Sequence, residues 1–187
     1  MTSTLTHICA GLALLFTLAA PVGAQQVGPT VASDLDSDGA KEQFRLADSQ
    51  NDGIVDLLID RPGRTQIVAR DVAWIGGIGQ QPELSLAPNG SVLLTSMNEA
   101  VGRSRWRLTL TIAYRRGAYR VAGYTYSWYD TIDIADNGTC DLNLLNGKGT
   151  LQIDGGPLRL IRTGLKARAI TDWSDDIPLP RACERPL

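Results

Sequence analysis

The chain has 187 residues, of which 43% are hydrophobic, and a formal charge of −2. That charge is too small to steer the protein toward nucleic acid or a membrane surface. The length suits one domain with a real core.

In chain order, the first element is an export signal. Residues 12–20 are almost unbroken apolar sequence, followed by Pro21, Val22, Gly23 and Ala24. Small residues thus stand three back and one back from a cut before Gln25. The expected division is a signal peptide over 1–24 and a single β-rich domain over 25–187. The apolar run is too short to span a bilayer, and no second long one follows, so no membrane span is expected after cleavage. The expected location is periplasmic or secreted.

Cleavage removes His7 and Cys9, leaving no histidine and only Cys140 and Cys183. In an oxidising compartment an even pair predicts one disulfide. A chain without histidine has no Ser-His-Asp triad and no histidine-ligated zinc. Paired cysteines leave no thiol nucleophile. Gly76, Gly77 and Gly79 lack the lysine and strand–helix frame of a phosphate-binding loop.

Next comes an acidic loop. Asp34, Asp36 and Asp38 alternate, Gly39 follows, and Glu42 stands three residues further on. Four carboxylates so close repel one another unless a cation sits among them. Calcium takes 6–8 oxygen ligands, and this spacing is how a short loop supplies them. The expected ligands are the side chains of Asp34, Asp36, Asp38 and Glu42, with Ca2+ as the ion. Gly39 is expected to take a positive φ so that the loop can wrap.

Short β-like runs then alternate with turn signals. Runs at 43–47 and 54–59 flank Asn51, Asp52 and Gly53, a hairpin signal. Further runs fall at 65–68, 83–87 and 91–96. The clearest pattern lies at 105–129, where Trp106, Leu108, Leu110, Ile112 and Tyr114 alternate with polar or small residues. A two-residue turn at Arg116 and Gly117 would pair Tyr114 with Tyr119 and Ile112 with Val121 on the core face. On the other face it would pair Arg107 with Tyr126 and Arg105 with Trp128. Arg105, Arg107, Tyr124, Tyr126 and Trp128 then form a candidate ligand face, since rings and guanidinium groups bind planar or apolar surfaces. The favoured reading of these residues is instead a second packed face of a sandwich, with the arginines stacked over the rings, since aromatics dominate cores. Residues 130–149 read as a polar loop, and a last hairpin joins 150–153 to 158–162. Pro178 and Pro180 exclude regular structure at the tail. The fold expected is all-β: a single antiparallel β-sandwich or small barrel-like domain.

The acidic loop is not an EF-hand, because Arg45 stands where a bidentate Glu is required and the flanks are not helical in pattern. It runs straight into a strand, and so resembles the calcium loop of FG-GAP and VCBS-type repeats over residues 31–60. The matching positions are Asp34, Asp36, Asp38, Gly39 and Glu42. The resemblance implies a calcium site with Ala40 as the carbonyl ligand. One copy does not imply the propeller that such repeats build in series. Weaker echoes at 48–56 and 133–141 read as plain turns, with a further metal loop as the alternative for each. Residues 103–149 resemble uncharacterised secreted bacterial proteins, which implies a location and no activity.

Two functions stay open. One is an exported calcium-binding β protein, a non-enzymatic envelope binding or structural module for a protein or glycan partner. The other is a secreted carboxylate-dependent hydrolase acting on polysaccharide or peptidoglycan, which needs two carboxylates facing across a groove.

Overall fold

The computed structural model describes residues 25–77 and 79–184. The expected signal segment, 1–24, lies outside the described residues. Four strands, β1 (Gln26–Ser33), β2 (Glu42–Asp48), β3 (Ile54–Asp60) and β4 (Ile67–Trp74), form one antiparallel sheet. Seven more form a second: β5 (Glu83–Leu86), β6 (Val92–Asn98), β7 (Ser104–Arg115), β8 (Ala118–Asp130), β9 (Asn137–Asn143), β10 (Lys148–Ile153) and β11 (Arg159–Arg162). Each strand pairs with its neighbour in sequence, so both sheets are meanders. Among the described residues the helical structure is two 3₁₀ turns, Ile170–Asp172 and Arg181–Cys183. None is long and apolar enough to cross a membrane.

The protein is an all-β sandwich, as its turn-punctuated runs predict. β1 lies against β5, and β4 against β6. The small sheet contributes Phe44, Leu46, Leu57 and Ile59 to a core shared with Leu94, Leu110, Ile112 and Val121 of the large one. Burying each such side chain contributes about 1.5–3 kcal/mol. Paired rings tie the layers together: Trp74 of β4 meets Trp106 of β7 at 5.6 Å, and Phe44 of β2 meets Tyr119 of β8 at 6.0 Å.

The seven-stranded sheet is wider than its partner, and the C-terminal segment covers the remainder. Trp173 packs on Tyr124 with ring centroids 6.2 Å apart. Cys183 is bonded to Cys140 of β9, and both are fully buried. The expected disulfide is therefore present. The Asp175 amide donates to the Asp71 carbonyl at 2.8 Å, which fixes the segment to β4 as well.

Two expectations need correction. Residues 137–143 are strand β9, not loop. Their polar residues Thr139, Asp141 and Asn143 are the outward positions of a strand whose inward positions are Cys140 and Leu142. The second correction concerns the β7–β8 register. Tyr114 does pair with Tyr119, and Ile112 with Val121. A bulge then inserts Ala122, so Thr111 faces Gly123, Arg107 faces Ser127 and Arg105 faces Tyr129. One extra residue inverts the parity of everything beyond it. Gly123 permits the close approach, since a Cβ there would lie 2.9 Å from the Thr111 hydroxyl.

Leu110→Ala should cost about 2–5 kcal/mol in denaturant melts, because Leu110 is buried in the shared core. Thr109→Ala removes only the bond to the Thr95 hydroxyl on the outer face and should cost about 1 kcal/mol. Equal losses would refute the assignment of faces. Reducing the disulfide, whose cysteines stand 43 residues apart, should lower stability by about 4 kcal/mol through chain entropy. An unchanged melt in reductant would show that the tail is held by its packing alone.

Candidate metal centre

The acidic loop joins β1 to β2 at one end of the sandwich. Its carboxylates accept the loop's own backbone amides. Asp34 accepts from Asp38 and Gly39, both at 3.1 Å, and Asp36 accepts from Asp38 at 3.2 Å. Asp38 accepts from Ala40 at 2.9 Å. Gly39 takes φ +92°, as the wrap requires, and Ser37 also adopts a positive φ of 59°. The loop thus turns twice through the left-handed region around its acids.

Glu42 anchors the loop to the core. It is the first residue of β2, in phase with inward-facing Phe44 and Leu46, and only 2% exposed. A buried carboxylate must find donors. Glu42 receives the Leu35 amide at 2.9 Å, the Asp36 amide at 3.4 Å and the Tyr119 hydroxyl at 2.6 Å. Tyr119 reaches it from β8, across the interface between the sheets, and is itself 3% exposed. Burial and then the Glu42 bond push the Tyr119 phenol well above its ordinary range.

Carboxylate oxygens of Asp34, Asp36 and Glu42 lie within 4.8 Å of one another. Asp38 is not drawn into that group. It pairs with Arg64, from the β3–β4 turn, at 2.9 Å, and Arg64 also reaches Asp36 at 3.2 Å. Ala40 follows Gly39 in the loop, half-buried. Burial raises the Asp36 carboxyl above its usual range; the Glu42 and Asp38 charges add to this, against the Asp38 amide and Arg64. Three carboxylates offer about twelve acceptor sites, and backbone amides, Tyr119 and Arg64 occupy only some of them. The donor set is all oxygen and anionic, which suits a hard cation. Neither Arg64 nor Tyr119 is visible in the loop's own sequence.

The weaker echoes do not gather acids in this way. Asp56 is buried in β3, bonded to Arg70 and to the Asp71 amide. Asp136 accepts the Trp128 indole N–H at 3.1 Å. The candidate ligand face is divided by the bulge. Tyr124, Tyr126 and Trp128 lie opposite Leu110, Leu108 and Trp106 on the core side. Arg105 and Arg107 alternate with Trp106 and Leu108 and so fall on the other face of β7, where Arg107 approaches Glu99 at 3.6 Å and Glu83 at 3.9 Å.

No protein-family model, curated protein or solved structure matches the chain. What the site can do therefore rests on its own chemistry.

Tyr119→Phe should destabilise the protein by about 1.5–3 kcal/mol, the range for a hydrogen bond to a charged group. A melt unchanged from wild type would mean that Glu42 is satisfied by the loop amides alone. The raised Asp36 pKa means that the folded state binds its proton more tightly than the unfolded chain. Its ionisation therefore lowers stability, and metal-free protein should regain that part as pH falls through the folded pKa toward 3.8. Asp36→Asn should flatten this dependence. A variant with the same acid-limb profile would place the effect elsewhere.

Proposed function

We propose that this is an exported, calcium-binding β-sandwich protein that acts without catalysis, as a binding or structural module of the cell envelope. The observation that carries the reading is the convergence of Asp34, Asp36 and Glu42 in a loop already folded around its acids. Calcium there would replace mutual repulsion by shared coordination and fix the β1–β2 connection. The likeness of the loop to FG-GAP and VCBS-type calcium loops supports the same ion. The buried Cys140–Cys183 bond supports an oxidising compartment, and the apolar run at 12–20 supports export. The partner would be a protein or glycan.

Arg64 refines the proposal. Its guanidinium neutralises Asp36 and Asp38 in the ion-free loop and repels an incoming cation. Arg64 is therefore a competitor that calcium must displace from at least one carboxylate.

Calcium should raise the melting temperature of chelator-treated protein, by the equivalent of about 2.7 kcal/mol at a hundredfold excess over Kd. Magnesium should substitute poorly, because it demands tighter octahedral geometry and holds its waters. Asp36→Asn should abolish the shift, while Arg64→Gln should tighten calcium binding severalfold and weaken the metal-free fold. No shift in millimolar calcium would reduce the loop to an acidic turn. Looser binding by Arg64→Gln would make Arg64 a supporter of the site rather than its competitor.

A further inference from the structure

Charge is unevenly distributed along this chain. Between Val101 and Tyr129 there are six arginines and no acid, and between Leu142 and Thr171 five basic residues and one acid. The fold brings parts of these two stretches together. The end of the β7–β8 hairpin supplies Arg115, Arg116 and Arg120, and the segment after β11 supplies Lys166. All four line one cavity of about 450 Å³, with Leu144 and Leu145 at its side. That volume lies within the range of small-molecule sites.

The cations are positioned without carboxylates. Arg120 donates through Nε to the Arg115 carbonyl at 3.0 Å, and Arg115 donates to the Tyr114 carbonyl at 2.7 Å. Five other arginines of the described residues, Arg45, Arg64, Arg70, Arg103 and Arg107, are ion-paired. Among the described residues, none of the four cavity cations has an acidic partner within ion-pair distance. Asp141 lies in the adjoining trough, where it accepts the Thr125 hydroxyl at 2.8 Å. The wall carrying Lys166 is fixed: the Ala167 amide donates to the Leu144 carbonyl and the Val121 amide to the Arg168 carbonyl, both at 3.1 Å.

Arg116 adds an independent observation. It holds φ 52° at the apex of a two-residue hairpin, followed by Gly117 at φ 76°. Such a turn strongly favours Asn, Asp or Gly at its first position. A long cationic side chain here works against the local preference of the backbone, and such outliers collect at functional sites.

We propose that this cavity is a phosphate-binding site, separate from the acidic loop. Three guanidinium groups and an ammonium around one space match a doubly charged phosphate better than a single carboxylate, and arginine engages phosphate oxygens in bidentate fashion. Leu145, 48% exposed beside the cations, offers a surface to an apolar body carrying that phosphate. The phosphate group is the recognised chemistry, whether free in a small molecule or in a lipid headgroup.

The test uses the whole protein in chelator, so that calcium neither contributes nor precipitates and the fate of the acidic loop does not affect the result. Pyrophosphate is titrated by calorimetry, and flotation is measured with phosphatidylcholine vesicles with and without phosphatidic acid. The double variant Arg116→Asn with Lys166→Gln should bind at least about tenfold more weakly. It should melt no lower than wild type, since Asn suits the turn. Pyrophosphate binding that the variant weakens supports a small-molecule phosphate. Binding only to vesicles carrying phosphatidic acid, weakened in the same way, supports a headgroup. Binding of neither probe, or binding that the variant leaves unchanged, overturns the proposal.

Discussion

A carboxylate buried at the end of a sheet dictates much of this molecule's architecture. Glu42 stands where the phase of β2 demands an inward residue, beside Phe44 and Leu46. Left alone, an ionised group so placed would cost several kcal/mol. Donors from two directions hold it: the amides of its own loop and the hydroxyl of Tyr119 from the opposite sheet. The same side chain therefore shapes the loop and joins the two layers. Asp34 and Asp36 are brought to Glu42 because the loop amides that satisfy these acids also fix its path.

The sandwich separates two kinds of charge around one hairpin. Tyr119, just past the β7–β8 turn, touches the acidic loop, while Arg115, Arg116 and Arg120 of the same hairpin line the cationic cavity. The hairpin is held rigidly between them: Tyr119 packs on Tyr114 at 5.0 Å and on Phe44 at 6.0 Å. The proposed cation site and the proposed anion site thus share one support while drawing on different side chains. This arrangement suits a module whose surface carries its function and whose core supplies rigidity.

Much of the fold was legible in the sequence because alternation and turn chemistry are local. Arg116 and Gly117 mark the central turn, and the inward side of β7 can be read directly from Trp106 through Tyr114. The acidic loop and the positive φ of Gly39 were equally visible. What escaped was set through space. The bulge at Ala122 depends on Gly123 passing close to Thr111, and nothing in β8 alone announces it; it carries the aromatics Tyr124, Tyr126 and Trp128 into the core. Strand β9 was hidden because its outward residues are polar and its buried cysteine is covered by the tail through Cys183. Arg64 comes to the loop from the β3–β4 turn and Tyr119 from the start of β8, both well along the chain. The buried position of Glu42 could have been found by extending the phase of Phe44 and Leu46 back by one step.

The central claim is that a hard cation binds beside Glu42, within reach of the Tyr119 ring. Terbium, a lanthanide that takes calcium's oxygen ligands, luminesces when a neighbouring aromatic ring passes it excitation. Terbium emission from the chelator-treated protein under excitation of tyrosine tests the claim most directly. The account predicts emission that saturates at one ion per chain, falls when calcium is added, and is largely lost in Tyr119→Phe. Emission that is absent, or that survives both calcium and Tyr119→Phe, would contradict it.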